Sequence, residues 1–475
     1  MTMPSTIEAA QLIRSGDLGA VELMRASLDA IARANPQLNA FVHLDVDGAL
    51  AAARAVDRSR ARSGPDGLGV LAGVPFGVKD LEDCAGMPTT RGSRWFSGQP
   101  PVAADDIHVG RLRAAGAIPI GKTAAPEFGA WAYTASPALG ITRNPWGLDR
   151  TPGGSSGGSS AAVSAGLVPF CTASDGGGSI RTPAAFTGLV GLKNTYGRIP
   201  TLGATHLAQN AVVGAVTTRV VDTARLLDVM AGPDARDRTC LPPVGLTYES
   251  SLKTTPTRGL RAAWSLDLGF ARVNPEIARI TEAAARRFIA AAELEAVDAA
   301  LTLDDYIGIY ARMEGADKFV GIDPALWQNE LHRLDPLVAP GWAQAREITL
   351  PKAARIEAQR RALVQRMALA FERFDLLLTP MIAVPAFAAE GPMPTMINGE
   401  AVHGGMAVIH GMLANLVNLP AISIPAGLTD AGLPIGLQVI GPRFREDLLL
   451  ATAHRYELAH PWPRHAPGDF LHDRA

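Results

Sequence analysis

The sequence predicts an α/β fold. Segments with helical periodicity and short apolar strand-like runs interleave from one end to the other, and no repeat of fixed period interrupts them. The chain has 475 residues, 47% of them hydrophobic, which is ample for a large buried core.

The first helix is read in "STIEAAQLIRSG", where Ser5 and Glu8 have capping-box spacing and Gly16 closes the last turn. Residues 19–33 continue as a second helix, with Val21, Met24, Leu28 and Ile31 on one stripe. Residues 46–63 form a third, rich in alanine and arginine. From 68 to 200 the texture changes to Gly, Ser, Thr and Pro. Apolar runs such as "FGV", "AIPI" and "SAGLVPF" recur there, so the segment reads as a backbone-rich binding surface rather than a flexible linker. Helical periodicity returns in "TTRVVDTARLLDVMAG", with Val220, Ala224, Leu227 and Ala231 on one face and Gly232 as the stop. "LRAAWSLD" reads as a strand. The next helix opens with Asn274 as N-cap and Pro275 at the first helical position. Residues 300–345 are mixed, with scattered aromatics. "FDLLLTP", "AISIPAG" and "IGLQVIG" read as buried strands, and "REDLLLATAHRYELAH" as an amphipathic helix.

Bulk properties exclude several function classes. A net charge of −2 argues against a nucleic-acid partner, which needs a basic surface. Cys84, Cys171 and Cys240 are far apart and odd in number, which fits a reducing compartment, and the ten histidines form no ligand cluster, so no metal is expected. The N-terminus lacks the apolar core of a secretory signal, and no apolar run reaches 18 residues. A cytoplasmic protein with no membrane partner is expected.

Two short motifs compete for attention. "GAIPIGKT" (Gly116 to Thr123) fits the phosphate-binding pattern G-x-x-x-x-G-K-[ST]. Its order is wrong, however. "VGRLRAAG" before it reads as a helix ending at Gly116, and the strand "AIPI" lies between the two glycines, where a phosphate loop must curl. Lys122 is then solvated or hydrogen-bonded locally. "GGSSG" (Gly153 to Gly157) fits the nucleophile elbow G-x-S-x-G, which would make Ser155 the nucleophile of an α/β-hydrolase-type esterase. The turn-rich "NPWGLDRTP" before it is not the strand an elbow needs, and His403, His410 and His454 sit in no telling context.

A longer constellation carries more chemistry. In "SDGGGSIR" three glycines precede Ser179, so backbone N–H groups converge on one point with no Cβ in the way, as an oxyanion requires. Asp175 and Arg181 flank the serine with charges able to pair and lock the loop. Serine needs a base. "GVPFGVKD" ends an apolar run at Lys79, where burial would favour the neutral amine; alone, this lysine reads rather as a strand end reaching for water.

Together these stretches resemble the amidase signature family. The match includes "GVPFGVKD", "GAIPIGKTAAPEF", "TRNPWGLDRTPGGSSGGSSAAVSAGLVPF", "SDGGGSIRTPAAFTGLVGLKNTYGRIP" and "LPIGLQVIGPRFRED", and is weakest from about 233 to 375. The resemblance implies an amidase signature fold, with a central mixed β-sheet covered on both sides by helices. It implies a single domain over 1–475: a catalytic core at 66–232, a variable substrate-facing region at 233–375, and C-terminal strands and a helix at 376–475 completing the same sheet. It makes Ser179 the acylated nucleophile, Ser155 the bridging serine entered through a cis peptide from Gly154, and Lys79 the general base. The N–H groups of Gly176, Gly177, Gly178 and Ser179 correspond to the oxyanion hole, and no cofactor is implied.

The implied reaction is hydrolysis of the C–N bond of a small or oligomeric amide, with esters and carbamates (a urethanase activity) as further substrates. The family also contains the amidase subunit of glutamyl-tRNA(Gln) amidotransferase, which hands ammonia to a partner. As a hydrolase the chain is expected to act as monomer or homodimer on a small molecule. Trp131, Tyr133 and the aromatics of 306–342 either wall an apolar pocket or pack as ordinary core. Two departures bear on substrate: Gly176 replaces a bulkier residue of D-T-G-G-S, leaving the loop more mobile or more open, and Leu81 stands where many members have Asn.

Overall fold

A computed structural model describes residues 2–202, 209–319 and 322–468. Eleven strands form one mixed sheet. Its order is Phe41–Leu44, Ile118–Thr123, Pro75–Lys79, Phe170–Asp175, Val212–Thr217, Val190–Lys193, Ala421–Leu428, Pro434–Ile440, Leu376–Pro380, Arg261–Trp264 and Glu295–Asp298. Helices flank it. Strands from both ends of the sequence therefore share a single sheet. Pro75–Lys79 runs parallel to both Ile118–Thr123 and Phe170–Asp175, so three carboxyl-terminal strand ends lie side by side. Such an edge is where open α/β sheets place their sites.

The helix ends follow local chemistry. Thr6–Ser15 has the Ser5/Glu8 capping box, and Gly16 closes it in the left-handed region. Ala20–Leu38 runs five residues past the expected end, because Ala34 and Leu38 extend its buried stripe; Asn39 in the left-handed region stops it. Asn274 caps Pro275–Ala291 through the N–H groups of Glu276 and Ile277. A 21-residue helix, Leu350–Ala370, was not anticipated. Its buried Ile356, Leu363, Met367 and Ala370 form a stripe thin enough to be masked by the surrounding charge.

The glycine- and serine-rich block proves to be core as well as surface. It folds into helix Gly157–Ser164, all eight residues buried, and helix Arg181–Thr187. Gly158 shows why the composition is needed: a Cβ there would lie 2.3 Å from the Ala124 nitrogen and 2.6 Å from its carbonyl oxygen. Small residues let this helix rest on the backbone of the neighbouring strand end. "GAIPIGKT" is no phosphate loop. Gly121, Lys122 and Thr123 continue the strand, with a Gly121 Cβ position 2.1 Å from the His43 carbonyl oxygen. Lys122 is buried rather than solvated, donating to the Glu82 carbonyl and, at 2.9 Å, to Thr89 Oγ1. No helix among the described residues is long and apolar enough to cross a membrane.

Candidate active site

Lys79 is the last residue of its strand and is completely buried. Its backbone N–H donates to Thr172 Oγ1 at 3.0 Å, and its Nζ reaches Ser174 Oγ at 2.9 Å and the Ser174 carbonyl at 3.4 Å. Thr172 and Ser174 are two apart on the adjacent strand, so both hydroxyls face the lysine while Asp175 faces away. The third partner of Nζ is Ser155 Oγ at 2.8 Å. Burial pulls the Lys79 ammonium down to about 8, against the opposing charges of Glu82 and Asp175.

Ser155 follows a cis peptide bond from Gly154, immediately before helix Gly157–Ser164. A Cβ on Gly154 would meet the backbone of Trp131 and Tyr133 at 2.4–2.7 Å, so that segment is clasped between two stretches of chain. Ser179 sits ahead of helix Arg181–Thr187 and shares a cavity wall with Ser155. The Ser156 N–H donates to the Ser179 carbonyl at 3.3 Å, which ties the two serine loops together. Among the described residues Ser179 Oγ makes no hydrogen bond to Ser155. The hydroxyl pair lines one space without being joined.

The loop between Asp175 and Ser179 is held by charge. Arg181 and Asp175 form a buried two-pronged pair at 2.9 Å, and Arg181 also reaches the Gly411 carbonyl, Asn415 and Gln438. These last partners come from the C-terminal part of the chain and were invisible to sequence reasoning. The carboxyl group of Asp175 stays far below the usual carboxylate range; burial raises it, but the Arg181 charge and hydrogen bonds prevail. One expectation is corrected here. The Gly178 N–H donates to Asp175 Oδ1 at 2.7 Å, so it braces the loop and is not open to an oxyanion. The N–H groups of Gly176, Gly177 and Ser179 have no acceptor among the described residues. Gly177 must lack a side chain, because a Cβ would lie 2.2 Å from Tyr310 Oη. At Gly176 a Cβ would meet only Ala211 and Glu314, at 3.5 and 3.8 Å, so the loop is open there toward the cavity.

The cavity in front of the serines measures about 1320 Å³. Leu81, Phe128, Trp131, Tyr310 and Trp342 line it. Phe128 adopts a left-handed backbone, φ +52°, and its ring joins a cluster with Trp95, Trp342 and Phe96. Trp131 is therefore a wall residue. Tyr133 is not: it is buried behind the wall, stacked on Trp131 and edge-on to Phe387, where it shapes the Gly154 turn. Of the remaining aromatics, Tyr306 is core, donating to the Ile409 carbonyl. The histidine route to an esterase also fails on geometry. Ser155 has Lys79 as partner, His403 accepts from the Gly405 N–H, and His410 bonds the Leu266 carbonyl.

Sequence reasoning missed Ser174, although the alternation of Thr172 and Ser174 against Asp175 was a usable signal. It also missed a buried pair beneath Lys79, in which His108 Nε2 lies 3.1 Å from Glu82 Oε2.

Comparison with known proteins agrees with this arrangement. The sequence model of the Amidase family matches residues 22–450. The chain is 34% identical to an acylamidase of Rhodococcus erythropolis, covering 98% of each. It is 35% identical to a subunit of the glutamyl-tRNA(Gln) amidotransferase of Symbiobacterium thermophilum, covering 96% of each. A crystal structure of a bacterial aryl acylamidase of the amidase signature family superposes with a TM-score of 0.89 at 30% identity over 97% of each chain. With a mixed sheet flanked by helices, a buried lysine against a serine, and relatives along nearly its whole length, the chain belongs to the amidase signature family of hydrolases that act on carbon–nitrogen bonds.

Proposed function

We propose that the protein hydrolyses an apolar, preferably aryl, amide through an acyl-enzyme on Ser179. The observation that carries this reading is the 2.8 Å contact between buried Lys79 and Ser155, which with Ser179 lines an aromatic-walled cavity. Neutral Lys79 takes the proton of Ser155 as Ser155 takes that of Ser179. Ser179 Oγ then bonds the carbonyl carbon, and the oxyanion lies against the Gly176, Gly177 and Ser179 N–H groups, each able to contribute about 3 kcal/mol. The C–N bond breaks as Ser155 protonates the leaving amine and regains a proton from Lys79. Water enters by the same relay and releases the acid. Bound substrate draws the two serine hydroxyls into contact, since catalytic hydrogen bonds often tighten only in the complex. Esters and carbamates of similar shape are further substrates. The chain acts alone or as a homodimer in the cytoplasm, with Cys84 and Cys171 buried as free thiols.

The test uses the purified chain, an anilide substrate, and hydroxylamine with and without EDTA. Hydroxamate formation that survives EDTA and disappears in Ser179→Ala is expected. Hydrolysis that persists in Ser179→Ala would overturn the mechanism. Activity appearing only with an added protein partner would favour a role within an amidotransferase complex, which sequence identity supports equally.

A further inference from the structure

The charges beneath the site follow a pattern that the relay alone does not explain. Lys79 is buried, yet its Nζ touches only two hydroxyls and a carbonyl. Two carboxylates act on it by charge, Glu82 from its own loop and Asp175 from the adjacent strand. Each has another cation of its own. Arg181 grips Asp175 in two-pronged fashion. His108, from helix Ile107–Ala114, meets Glu82 at 3.1 Å with both side chains nearly inaccessible. Asp80, the next residue after the lysine, faces the charge of Lys122. Among the described residues Glu82, Asp175 and Asp80 are thus each matched to a different cation, and Lys79 has no ion pair of its own.

We propose that His108 is a positioning residue for the base: by holding Glu82 as an ion pair it keeps that carboxylate from pairing with Lys79, so that the neutral amine remains accessible as proton acceptor. The proposal rests on the reading of Lys79 as general base. Glu82 has reason to face the lysine. Its N–H donates to the Lys79 carbonyl at 3.0 Å, and among the described residues its Oε1 has no hydrogen-bond partner. Besides His108 and Lys79, the charged or titratable groups around Glu82 are Lys122 on its carbonyl, Asp106 and the Cys171 thiol. His108 is itself surrounded by Glu82, Asp106 and Asp105, and these carboxylates outweigh burial and favour its charged form. Among the described residues His108 Nδ1 has no hydrogen-bond partner, so the contact between Oε2 and Nε2 is the hydrogen bond that joins these two side chains.

The experiment is the pH profile of kcat/KM on an anilide for wild type, His108→Gln, Glu82→Gln and the double variant. In His108→Gln the uncompensated carboxylate favours the lysine ammonium. The acid limb is expected to move up by about one pH unit, an about tenfold loss at pH 7, while the alkaline plateau stays within about twofold of wild type. Glu82→Gln is expected to move the limb the other way, and the double variant to lie at or below the wild-type position. A uniform loss at all pH values in His108→Gln, or an unmoved limb in a folded protein, would overturn the proposal. If His108→Gln does not fold, the double variant decides, and a limb above wild type would overturn it. Lys79→Ala that keeps both activity and the acid limb would instead overturn the base reading itself, whatever His108 does.

Discussion

The serine and lysine loops and the aromatic side of the cavity are built by different means. Around Lys79, Ser155 and Ser179 the packing is set by missing side chains: Gly154 and Gly158 stand where a Cβ would overlap backbone, and Gly177 where it would overlap the Tyr310 ring. Lys79, Ser155, Asp175 and Arg181 are buried there, and the carboxylates Asp175 and Glu82 have assigned cations. The aromatic side, to which the cavity-lining Phe128 and Trp342 belong, relies on side-chain volume. Trp95, Phe128, Phe319, Trp327 and Trp342 form a satellite cluster of edge-to-face and tilted rings beside helix Ala339–Ala345, apart from the main core. The first construction tolerates almost no substitution, because neighbouring backbone has nowhere to go. The second accepts rings of other shapes at modest cost, which suits a wall that selects substrate. If the serines and the aromatic side act as proposed, chemistry and selectivity should be separable by mutation.

The strongest test of that separation is removal of the relay. Ser179→Ala and Lys79→Ala are expected to lower kcat by at least about 10⁴-fold with unchanged circular dichroism, and Ser155→Ala to lose somewhat less. Asp175→Asn probes the frame. Breaking the pair with Arg181 leaves a buried guanidinium uncompensated, so chemical denaturation should report a loss of about 3–5 kcal/mol. A loss below about 1 kcal/mol would mean that the loop does not depend on that pair.

Wild-type activity is expected to follow the lysine. Its conjugate acid lies at about 8, so the neutral base is depleted as pH falls, and kcat/KM at pH 6 should be about a hundredfold below the alkaline plateau. On the other wall, Trp342→Ala is expected to raise KM for anilides about tenfold while leaving kcat nearly unchanged, and to affect short aliphatic amides less. A fall in kcat equal to that of a relay variant would erase the distinction between the two regions.

The smallest effect serves as a control away from both. Asp222 is buried, accepts from the Ile7 N–H at 2.9 Å, and is pushed up by burial to about 7. Its folded value lies above its unfolded one. The stability it contributes is present at low pH and is lost as pH rises from about 4 through 7. Asp222→Asn should flatten the melting temperature across that window by a few degrees without moving the activity profile.

Local chemistry made several parts of this protein legible. The capping box at Ser5, the Asn274–Pro275 helix start and the apolar C-terminal strands depend on neighbours a few residues apart, so their signals lie in short windows. The glycine run before Ser179 likewise pointed to a loop with open N–H groups, and the resemblance of "GGSSG" and "GVPFGVKD" to a known family singled out the serine and lysine that the structure brings into contact. Pattern reading failed where the fold decides which way a group points or which distant partner it meets. Gly178 looked like a fourth oxyanion donor until Asp175 was seen to accept from it, and Tyr133 looked like pocket wall until it was found behind Trp131. Arg181 depends on Gln438 and Asn415, more than two hundred residues away. The sequence by itself determined which residue types are present to attack, relay and hold charge, because those are properties of side chains and of missing Cβ atoms. Only the tertiary structure decided which cation faces which carboxylate and which N–H groups stay open. Those choices arise when the sheet brings strand ends from separate parts of the chain to one edge and burial forces every charge there to find a partner.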